Sequence, residues 1–317
     1  MEARMPTNGS ALAARLVEPI DTLADFQNVA TDAVAFLSAG TRGSCVARTA
    51  GRGCYELWNF TYGGRKIQTR PVNTSLYVSD AAEFEVSCTA VRALMTDLKA
   101  SRGPTPAVLK KHKTTIDGGG IQRVFYTLQQ SYGMACDILL PENTAKKHVG
   151  LKFEALIGEA FGALGIAHKH LVFKVPGGEG ERPYQAEIDY IIGPDANIVS
   201  SGSLHDPREV IVSVKSSSKD RMPKIFIDRL LMERISEHPV KLIGVFHNDI
   251  QRKGENEVSG TFVANLFLIY SKYLRPLNGV YFVDPPPHIE KAAWKPYIKK
   301  FQDLVVTDVW ELLKPTE

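Results

Sequence analysis

The chain has 317 residues and a formal net charge of +3 at pH 7; 44% of its residues are hydrophobic and 23% are charged. This composition is ordinary for a soluble globular protein and excludes a disordered or fibrous chain, and the length suits one large domain or a core with a smaller companion. No apolar run reaches the roughly 18 residues of a membrane span, and the N-terminus lacks the apolar segment of a signal peptide, so we expect no membrane partner and a cytoplasmic location.

The N-terminal region is predicted to be mainly helical. Apolar residues recur at helical spacing from Leu16 to Phe36 and again from Phe84 to Leu98. Between these segments, the Gly-rich and aromatic-rich stretch GRGCYELWNFTYGGRKIQTR favours a loop or a hairpin. The basic segment 101–120 is punctuated by Pro and Gly, and we take it as the boundary between an N-terminal region, residues 1–120, and a core, residues 121–317.

Helix and strand patterns alternate in the remainder of the chain, from about residue 144 onward. The predicted elements are a helix from Lys147 to Leu164, the strands AEIDYII and EVIVSVK, a helix after Pro223, the strand KLIGVFH, a helix from Phe262 to Leu274, the strand GVYFV and a helical tail from Ile289 to Leu313. This alternation predicts an α/β fold in which helices flank a mixed central sheet.

A carboxylate and an ammonium group are predicted to meet at one end of that sheet. Asp189 lies in the strand AEIDYII, and Lys215 ends the strand EVIVSVK. Hydrolysis of a phosphodiester needs a metal ion held by carboxylate oxygens and a cation near the attacking oxygen, and this pair supplies both kinds of group. The alternative is a structural ion pair at the strand ends.

Other acids on the same strands compete for the role of Asp189. Asp195 follows Gly and Pro in a turn, where Asp is expected for conformational reasons. Glu187 shares a strand face with Asp189, and Glu209 begins the neighbouring strand. We favour Asp189 and keep the others as second choices.

The usual nuclease motif places an acid two residues before the lysine, but Ser213 occupies that position here. Asp228, thirteen residues after Lys215 and inside the following helix, is the candidate that replaces the missing acid. Glu154, on the preceding helix between Gly150 and Gly158, is a further candidate, with an ordinary helix-surface residue as the alternative.

The triplet Lys219-Asp220-Arg221 is predicted to contact DNA bases. A net charge of only +3 does not by itself indicate a nucleic-acid partner, so local groups have to carry that inference. Basic side chains donate to guanine N7 and O6, and a carboxylate accepts from the cytosine amino group, so this order of charges suits C·G pairs in the major groove. The alternative is a solvated helix start in which Asp220 favours the positive end of the helix dipole.

Taken together, these residues resemble the type II restriction endonucleases of the EcoRII, SsoII and PspGI group, in the PD-(D/E)XK superfamily, which cut at CCNGG or CCWGG. The matching positions are Phe153-Glu154, Asp189, Ser213-Val214-Lys215, the triplet and Asp228, and the resemblance covers about residues 145–287. The group has Arg-Glu-Arg in place of this triplet and Glu in place of Asp228. The resemblance implies a PD-(D/E)XK nuclease core. The mainly helical N-terminal region lies outside the resemblance, and we expect it to serve dimerisation, DNA contacts or both.

The resemblance also implies the activity: cleavage of double-stranded DNA by a homodimer at a site with CC/GG half-sites, with the central nucleotides flipped out of the duplex. Trp58 is our candidate for stacking on a flipped base, with core packing as the alternative. We expect Asp189 and Asp228 to bind Mg²⁺, Lys215 to position or deprotonate the attacking water, and Glu154 to support a second metal or a water.

Mg²⁺ is the expected cofactor because the acids are hard oxygen donors and the site contains no Cys or His. The four cysteines, Cys45, Cys54, Cys88 and Cys136, have no zinc-site spacing and are expected to be reduced and mostly buried. Two other functions remain open: a DNA-binding protein with a degenerate nuclease fold, and a repair nuclease directed by DNA structure.

Overall fold

A computed structural model of the chain describes residues 8–48, 51–52, 55–175, 182, 184–218, 221–262 and 264–315. The strands are β1 (Thr41–Ala47), β2 (Tyr55–Tyr62), β3 (Arg65–Gln68), β4 (Val72–Asn73), β5 (Ala167–Val175), β6 (Tyr184–Gly193), β7 (Val210–Ser217), β8 (Lys241–Asn248), β9 (Ile250–Arg252), β10 (Glu257–Gly260), β11 (Gly279–Phe282) and β12 (Ile298–Lys300). The helices are α1 (Gly9–Val17), α2 (Leu23–Leu37), α3 (Ala81–Ser101), α4 (Pro106–Lys111), α5 (Lys113–Asp117), α6 (Gly120–Leu139), α7 (Glu142–Ala163), α8 (Met222–Ser236), α9 (Ala264–Tyr273), α10 (Phe301–Asp303) and α11 (Val309–Leu312), with a π-helical turn, Leu304–Asp308, before the last.

The central sheet has six strands in the order β12-β11-β8-β7-β6-β5. The pairs β7–β8, β8–β11 and β11–β12 are parallel, whereas β5–β6 and β6–β7 are antiparallel. The middle strands carry apolar residues on both faces. Such strands favour parallel pairing in a sheet that is buried on both sides. The predicted fold class, a mixed α/β core with a mainly helical N-terminal region, is confirmed.

Helices cover the two faces of this sheet. On β7, Val210, Val212 and Val214 belong to the cluster that includes α1, α2, α3, α6 and α7, whereas Ile211 belongs to the cluster on the opposite face with α8 and α9. The alternation along the strand follows from the two-residue period of side chains in a β-strand. Because α7 packs directly across β7 and α8 follows β7 in the chain, the end of β7 lies between the two helices.

A second sheet joins the N-terminal region to the later part of the chain. Its order is β3-β2-β1-β10-β9, with β4 also paired to β2, and β1 pairs with β10 in parallel. Residues on both sides of position 120 therefore share one sheet, and they also share one hydrophobic cluster. The functional division at that position stays a prediction.

The Gly-rich stretch between the N-terminal helices forms the β2–β3 hairpin, as one of the two predicted alternatives. Tyr62 pairs with Arg65, so the loop has two residues, Gly63 and Gly64, and both have positive φ angles, 56° and 75°. Two-residue hairpin loops of type I′ require positive φ at both positions, and glycine adopts such angles without strain.

Two parts of the chain differ from the sequence prediction. We assigned no element to α6, in which sixteen of 20 residues are buried, including the polar residues Gln122, Gln129 and Gln130. The tail, predicted to be helical throughout, contains the edge strand β12, which forms because it pairs with β11.

Three of the cysteines, Cys45, Cys88 and Cys136, are buried, as expected, while Cys54 lies outside the described residues. None of the helices in the described part of the chain has the length and apolar character that a membrane span requires.

Candidate active site

A polar groove of about 710 Å³ opens at the end of β7. It is lined by Lys146, Gly150 and Glu154 from α7, Lys215, Ser216 and Ser217 from β7, and Arg221 and Lys224 at the start of α8. A slightly larger hollow of about 760 Å³ lies against β1–β3, but Lys66 is the one charged residue among the described residues that line it. The groove at β7 therefore concentrates the charged groups that chemistry on a phosphodiester needs.

A β-bulge in β6 lies at Asp189, whose carboxylate contacts Lys215 in this groove. Leu171 pairs with Ile188 and Lys169 pairs with Ile191, so the single residue His170 lies opposite both Asp189 and Tyr190. Bulges of this kind redirect a side chain and are common beside active sites.

The carboxylate of Asp189 accepts a backbone hydrogen bond from β7 just beyond the point where the pairing of β6 with β7 ends. Paired residues on these strands end at Tyr190 and Val212. Beyond this point the backbone N–H of Val214 donates to Asp189 Oδ2 at 2.7 Å, and Ser213 Oγ lies 3.5 Å from the same atom. Asp189 is thus held by β7, the strand that carries Lys215, beyond the last paired residues of β6 and β7.

Lys215 joins two carboxylates. Its ammonium group donates a hydrogen bond to Asp189 Oδ2 and lies 3.9 Å from Glu154 Oε1. The exposed fractions of the three side chains are 21% for Lys215, 13% for Asp189 and 34% for Glu154, so solvent screens them only in part. The structure therefore brings together three of the four residues predicted to be catalytic, with one positive and two negative charges.

The environment of Glu154 disfavours its charged form. Burial raises the pKa of this carboxyl group, and the negative charge of Asp189 raises it further, against an opposing effect of Lys215. A cation between the two carboxylates would relieve the repulsion, as commonly occurs where acids gather for catalysis.

The packing of Tyr190 on α7 sets the position of Glu154. A Cβ atom at Gly158 would lie 2.5 Å from the Tyr190 hydroxyl oxygen, so only glycine permits this approach. Gly158 is four residues after Glu154, one turn further along the helix. Tyr190, which shares the bulge with Asp189, therefore packs closely against the helix that carries Glu154.

Asp228 lies apart from this cluster. Its two carboxylate oxygens are 3.0 and 2.9 Å from the ammonium group of Lys224, which lines the groove. Among the described residues there is no group of three His, Cys, Asp or Glu side chains arranged to hold a metal. The expectation that Asp228 binds Mg²⁺ together with Asp189 therefore stays a prediction, and it requires the Lys224–Asp228 pair to separate.

The residues present suit Mg²⁺ as a partly hydrated ion. Mg²⁺ usually keeps several water ligands and binds proteins through one or two carboxylates together with phosphate oxygens of the substrate. Asp189 and Glu154 offer two hard oxygen donors in an open groove, so the donor chemistry fits this ion.

The rival acids have structural partners. Glu209 is buried and accepts hydrogen bonds from the backbone N–H groups of Val199 and Ser200 at 2.6 and 3.0 Å. Asp195 pairs with Arg208 at 2.9 Å, and the exposed Glu187 lies 3.1 Å from His170. These contacts favour Asp189 as the strand acid of the site.

No family model matches the chain, and no curated protein does. Solved structures that are similar to it include two restriction endonucleases. The crystal structure of the type IIP restriction endonuclease Kpn2I has a TM-score of 0.67 and 14% identity, over 96% of this chain and 96% of that chain. A complex of the restriction endonuclease PspGI with substrate DNA has a TM-score of 0.42 and 12% identity, over 72% of this chain and 92% of that chain.

The chain shares the fold of Kpn2I. At this low identity the likeness concerns the fold alone, and the weaker similarity to PspGI supports no argument. The predicted membership in the EcoRII, SsoII and PspGI group therefore stays a prediction.

The predicted base-reading triplet is described only at its last residue. Lys219 and Asp220 lie outside the described residues. Arg221 is exposed, immediately precedes α8 and lines the groove. A base-contacting role for Arg221 stays a prediction, and its place at the rim is compatible with one.

Trp58 does not provide a stacking surface in this structure. Its side chain is 1% exposed, the guanidinium of Arg42 lies 4.5 Å above the ring, and Tyr77 packs against it edge-on at 5.5 Å. The indole N–H donates to Glu56 at 2.9 Å. Trp58 faces inward on β2 because burial of a large aromatic surface is favourable, which supports the core-packing alternative and corrects our candidate.

Sequence reasoning missed Lys146, Lys224 and Tyr190. Lys146, Gly150 and Glu154 follow one another at four-residue spacing, and this spacing is the signal that places them on one face of α7. The bulge at Tyr190 had no comparable signal, because it depends on pairing between β5 and β6.

Proposed function

We propose that this protein is a type II restriction endonuclease that cleaves double-stranded DNA with Mg²⁺. The observation that carries the proposal is the convergence of Glu154, Asp189 and Lys215 in a groove whose other charged lining residues, among those described, are cations. The fold shared with Kpn2I is consistent with it.

Each of the three residues has a role that follows from its contacts. Asp189 and Glu154 present oxygens for the metal, and Asp189 also holds Lys215 in place. Lys215 orients the attacking water and offsets negative charge that develops on the phosphate, since a positioned cation is most effective in a partly desolvated site. When bound, Mg²⁺ shields the phosphodiester and lowers the pKa of water.

Asp228 is proposed as a further metal ligand, beside Asp189 and Glu154, once it leaves Lys224. Its place on α8, beside a lysine that lines the groove, supports this assignment. Asp189 requires no such rearrangement, because it already contacts Lys215.

We propose a target with CC/GG half-sites, a CCNGG-like core that outer base pairs can extend. Lys219, Asp220 and Arg221 are the proposed base-reading residues, by the hydrogen-bond chemistry of C·G pairs. A homodimer is proposed because two identical active sites related by a twofold axis match a symmetric site on the two DNA strands. Flipping of the central nucleotides remains part of the proposal, without Trp58 as the stacking residue.

Digestion of unmethylated plasmid DNA tests the function directly. Purified protein with Mg²⁺ should give discrete fragments, and run-off sequencing of the ends should give the site and the stagger. Smears without fixed ends would contradict sequence specificity, and fragments formed equally well in excess EDTA would contradict the metal requirement.

Lys215→Ala tests the assignment of the site. The variant should lose cleavage and keep DNA binding, because the lysine acts on the attacking water and not on the duplex as a whole. Lys314→Ala, which removes an exposed lysine paired with Glu311 near the C-terminus, is the control and should cleave normally. Cleavage by Lys215→Ala at the wild-type rate would show that this lysine is not catalytic.

A non-catalytic DNA-binding protein with a degenerate nuclease fold is the second candidate. It is favoured by Ser213 at the usual acid position and by the pairing of Asp228 with Lys224, which leaves two carboxylates in the cluster. It predicts a sequence-specific shift of DNA in a gel with no cleavage at any Mg²⁺ concentration.

A further inference from the structure

The groove at β7 is bounded by cations on two separate walls. On the α7 wall, Lys146 stands two turns before Glu154, with Gly150 between them. On the other wall, Arg221 and Lys224 stand at the start of α8. The floor between the walls carries Lys215.

Each wall lysine is held by an acid one helical turn away. Lys146 lies 2.5 Å from Glu142, and Lys224 lies 2.9 Å from Asp228. Both lysines are largely exposed, so these pairs contribute little to the stability of the fold. Both lysines line the groove, whereas Glu142 and Asp228 are not among its lining residues.

The charge at the start of α8 opposes the helix dipole. The first turn of α8 has no acidic residue, no side chain of the described residues caps its N-terminus, and Lys224 adds positive charge where the dipole is already positive. A negative ligand at this end of the helix would be stabilised by both the dipole and the lysine.

We propose that Lys146 and Lys224 bind backbone phosphates of the DNA on either side of the scissile phosphate. The inference rests on the proposed function, because it takes DNA as the ligand of the groove. Lys146 and Glu154 are eight positions apart, which is about 12 Å along the helix axis, so Lys146 contacts a flanking phosphate and not the one that is cleaved.

Gly150 leaves the path between these positions open. A Cβ atom at Gly150 would have no neighbour within 4 Å, so the groove is clear where the DNA strand passes between Lys146 and Glu154. A backbone laid along α7 therefore meets Lys146 first and the cluster of Glu154 and Lys215 next.

Phosphate binding by Lys224 competes with Asp228. The carboxylate of Asp228 must release the ammonium group, at least in part, before a phosphate takes its place. Neutralising the carboxylate should therefore strengthen DNA binding in the absence of metal, while removal of the lysine should weaken it.

The test measures the salt dependence of DNA binding without metal. Fluorescence anisotropy with a labelled duplex of random sequence, in EDTA and from about 50 to about 200 mM KCl, gives the slope of log K against log salt. Lys146→Ala and Lys224→Ala should each reduce the magnitude of that slope by about 0.9, and the advantage of wild type over each variant should shrink roughly threefold across this range. Lys314→Ala is the control and should keep the wild-type slope.

Asp228→Asn supplies the opposing variant. It should bind the random duplex more tightly than wild type, and the gain should disappear in Lys224→Ala/Asp228→Asn, because the carboxylate acts through this lysine. Thermal unfolding of each variant checks that the fold is retained.

The outcomes separate this inference from the proposed function. Wild-type slopes in both Lys146→Ala and Lys224→Ala would overturn the phosphate contacts even if the protein cleaves DNA at fixed sites. Reduced slopes in a protein that never cleaves DNA would support the contacts and refute the endonuclease. Weaker binding by Asp228→Asn would overturn the competition for Lys224.

Discussion

Replacement of Gly158 by alanine tests how the fold positions Glu154. The added methyl group would lie 2.5 Å from the Tyr190 hydroxyl oxygen and 2.7 Å from Cζ of the ring, whereas ordinary contact begins at 3.4 Å. The ring or the helix must therefore shift by about 1 Å, the difference between these separations. His168 packs edge-on against the Tyr190 ring at 5.6 Å and limits the freedom of the ring to move.

The effects on stability and on activity should differ in size. Overpacking costs about 1 to 3 kcal/mol, and Gly→Ala within a helix recovers about 1 kcal/mol, so the net loss is about 0 to 2 kcal/mol. A displacement of about 1 Å at the reacting groups costs on the order of 100-fold in rate. Gly158→Ala should therefore stay folded and lose most of its activity.

The assay compares initial rates of plasmid cleavage with thermal unfolding midpoints. Gly162→Ala, in the same helix, is the matched control because its Cβ would meet His168 at an ordinary 3.4 Å. Tyr190→Val removes the obstructing ring, so Gly158→Ala/Tyr190→Val should cleave faster than Gly158→Ala alone. A wild-type rate in Gly158→Ala would refute the positioning of Glu154 through Tyr190.

Three further variants address stability, pH dependence and base reading. Burial raises the pKa of Asp284 to about 7, so the native state holds a proton that the unfolded chain has lost, and stability should fall between about pH 4 and about pH 7. Asp284→Asn should flatten this decline in urea unfolding measured across that range; an unchanged decline would contradict the raised pKa. Arg52→Ala should cost about 3 to 5 kcal/mol in urea unfolding, because it leaves Asp249 buried without its ion-pair partner. Arg52→Ala/Asp249→Asn should lose less, and an equal loss would show that the stranded charge is not the cause. Arg221→Ala should weaken binding to the cleavage site by about 1 to 3 kcal/mol more than binding to random DNA. Equal losses on both would count against base contacts.

The Asp189–Lys215 pair could be predicted because the two residues lie on strands that follow each other in the sequence. Asp189 and Lys215 occupy consecutive antiparallel strands with clear patterns, and such strands usually pair with each other. The approach of Glu154 was also foreseeable, since glycines at four-residue spacing mark a helix face without bulk. Asp228 was also predicted from its spacing, thirteen residues after Lys215. Its carboxylate pairs instead with Lys224, a partner on its own helix.

By itself, the sequence determined the α/β class, the strands β6, β7, β8 and β11, and the helices α7, α8 and α9, because each has a period set by its own side chains. Only the tertiary structure decided the burial of Trp58, the bulge at Asp189 and the parallel pairing of β1 with β10, in which Val46 meets Glu257. These features depend on contacts between segments that are distant in the chain or on the register between strands, and local periodicity carries no information about either. The groove that joins Lys146, Lys215 and Lys224 is of the same kind, since its walls come from two helices on either side of one strand.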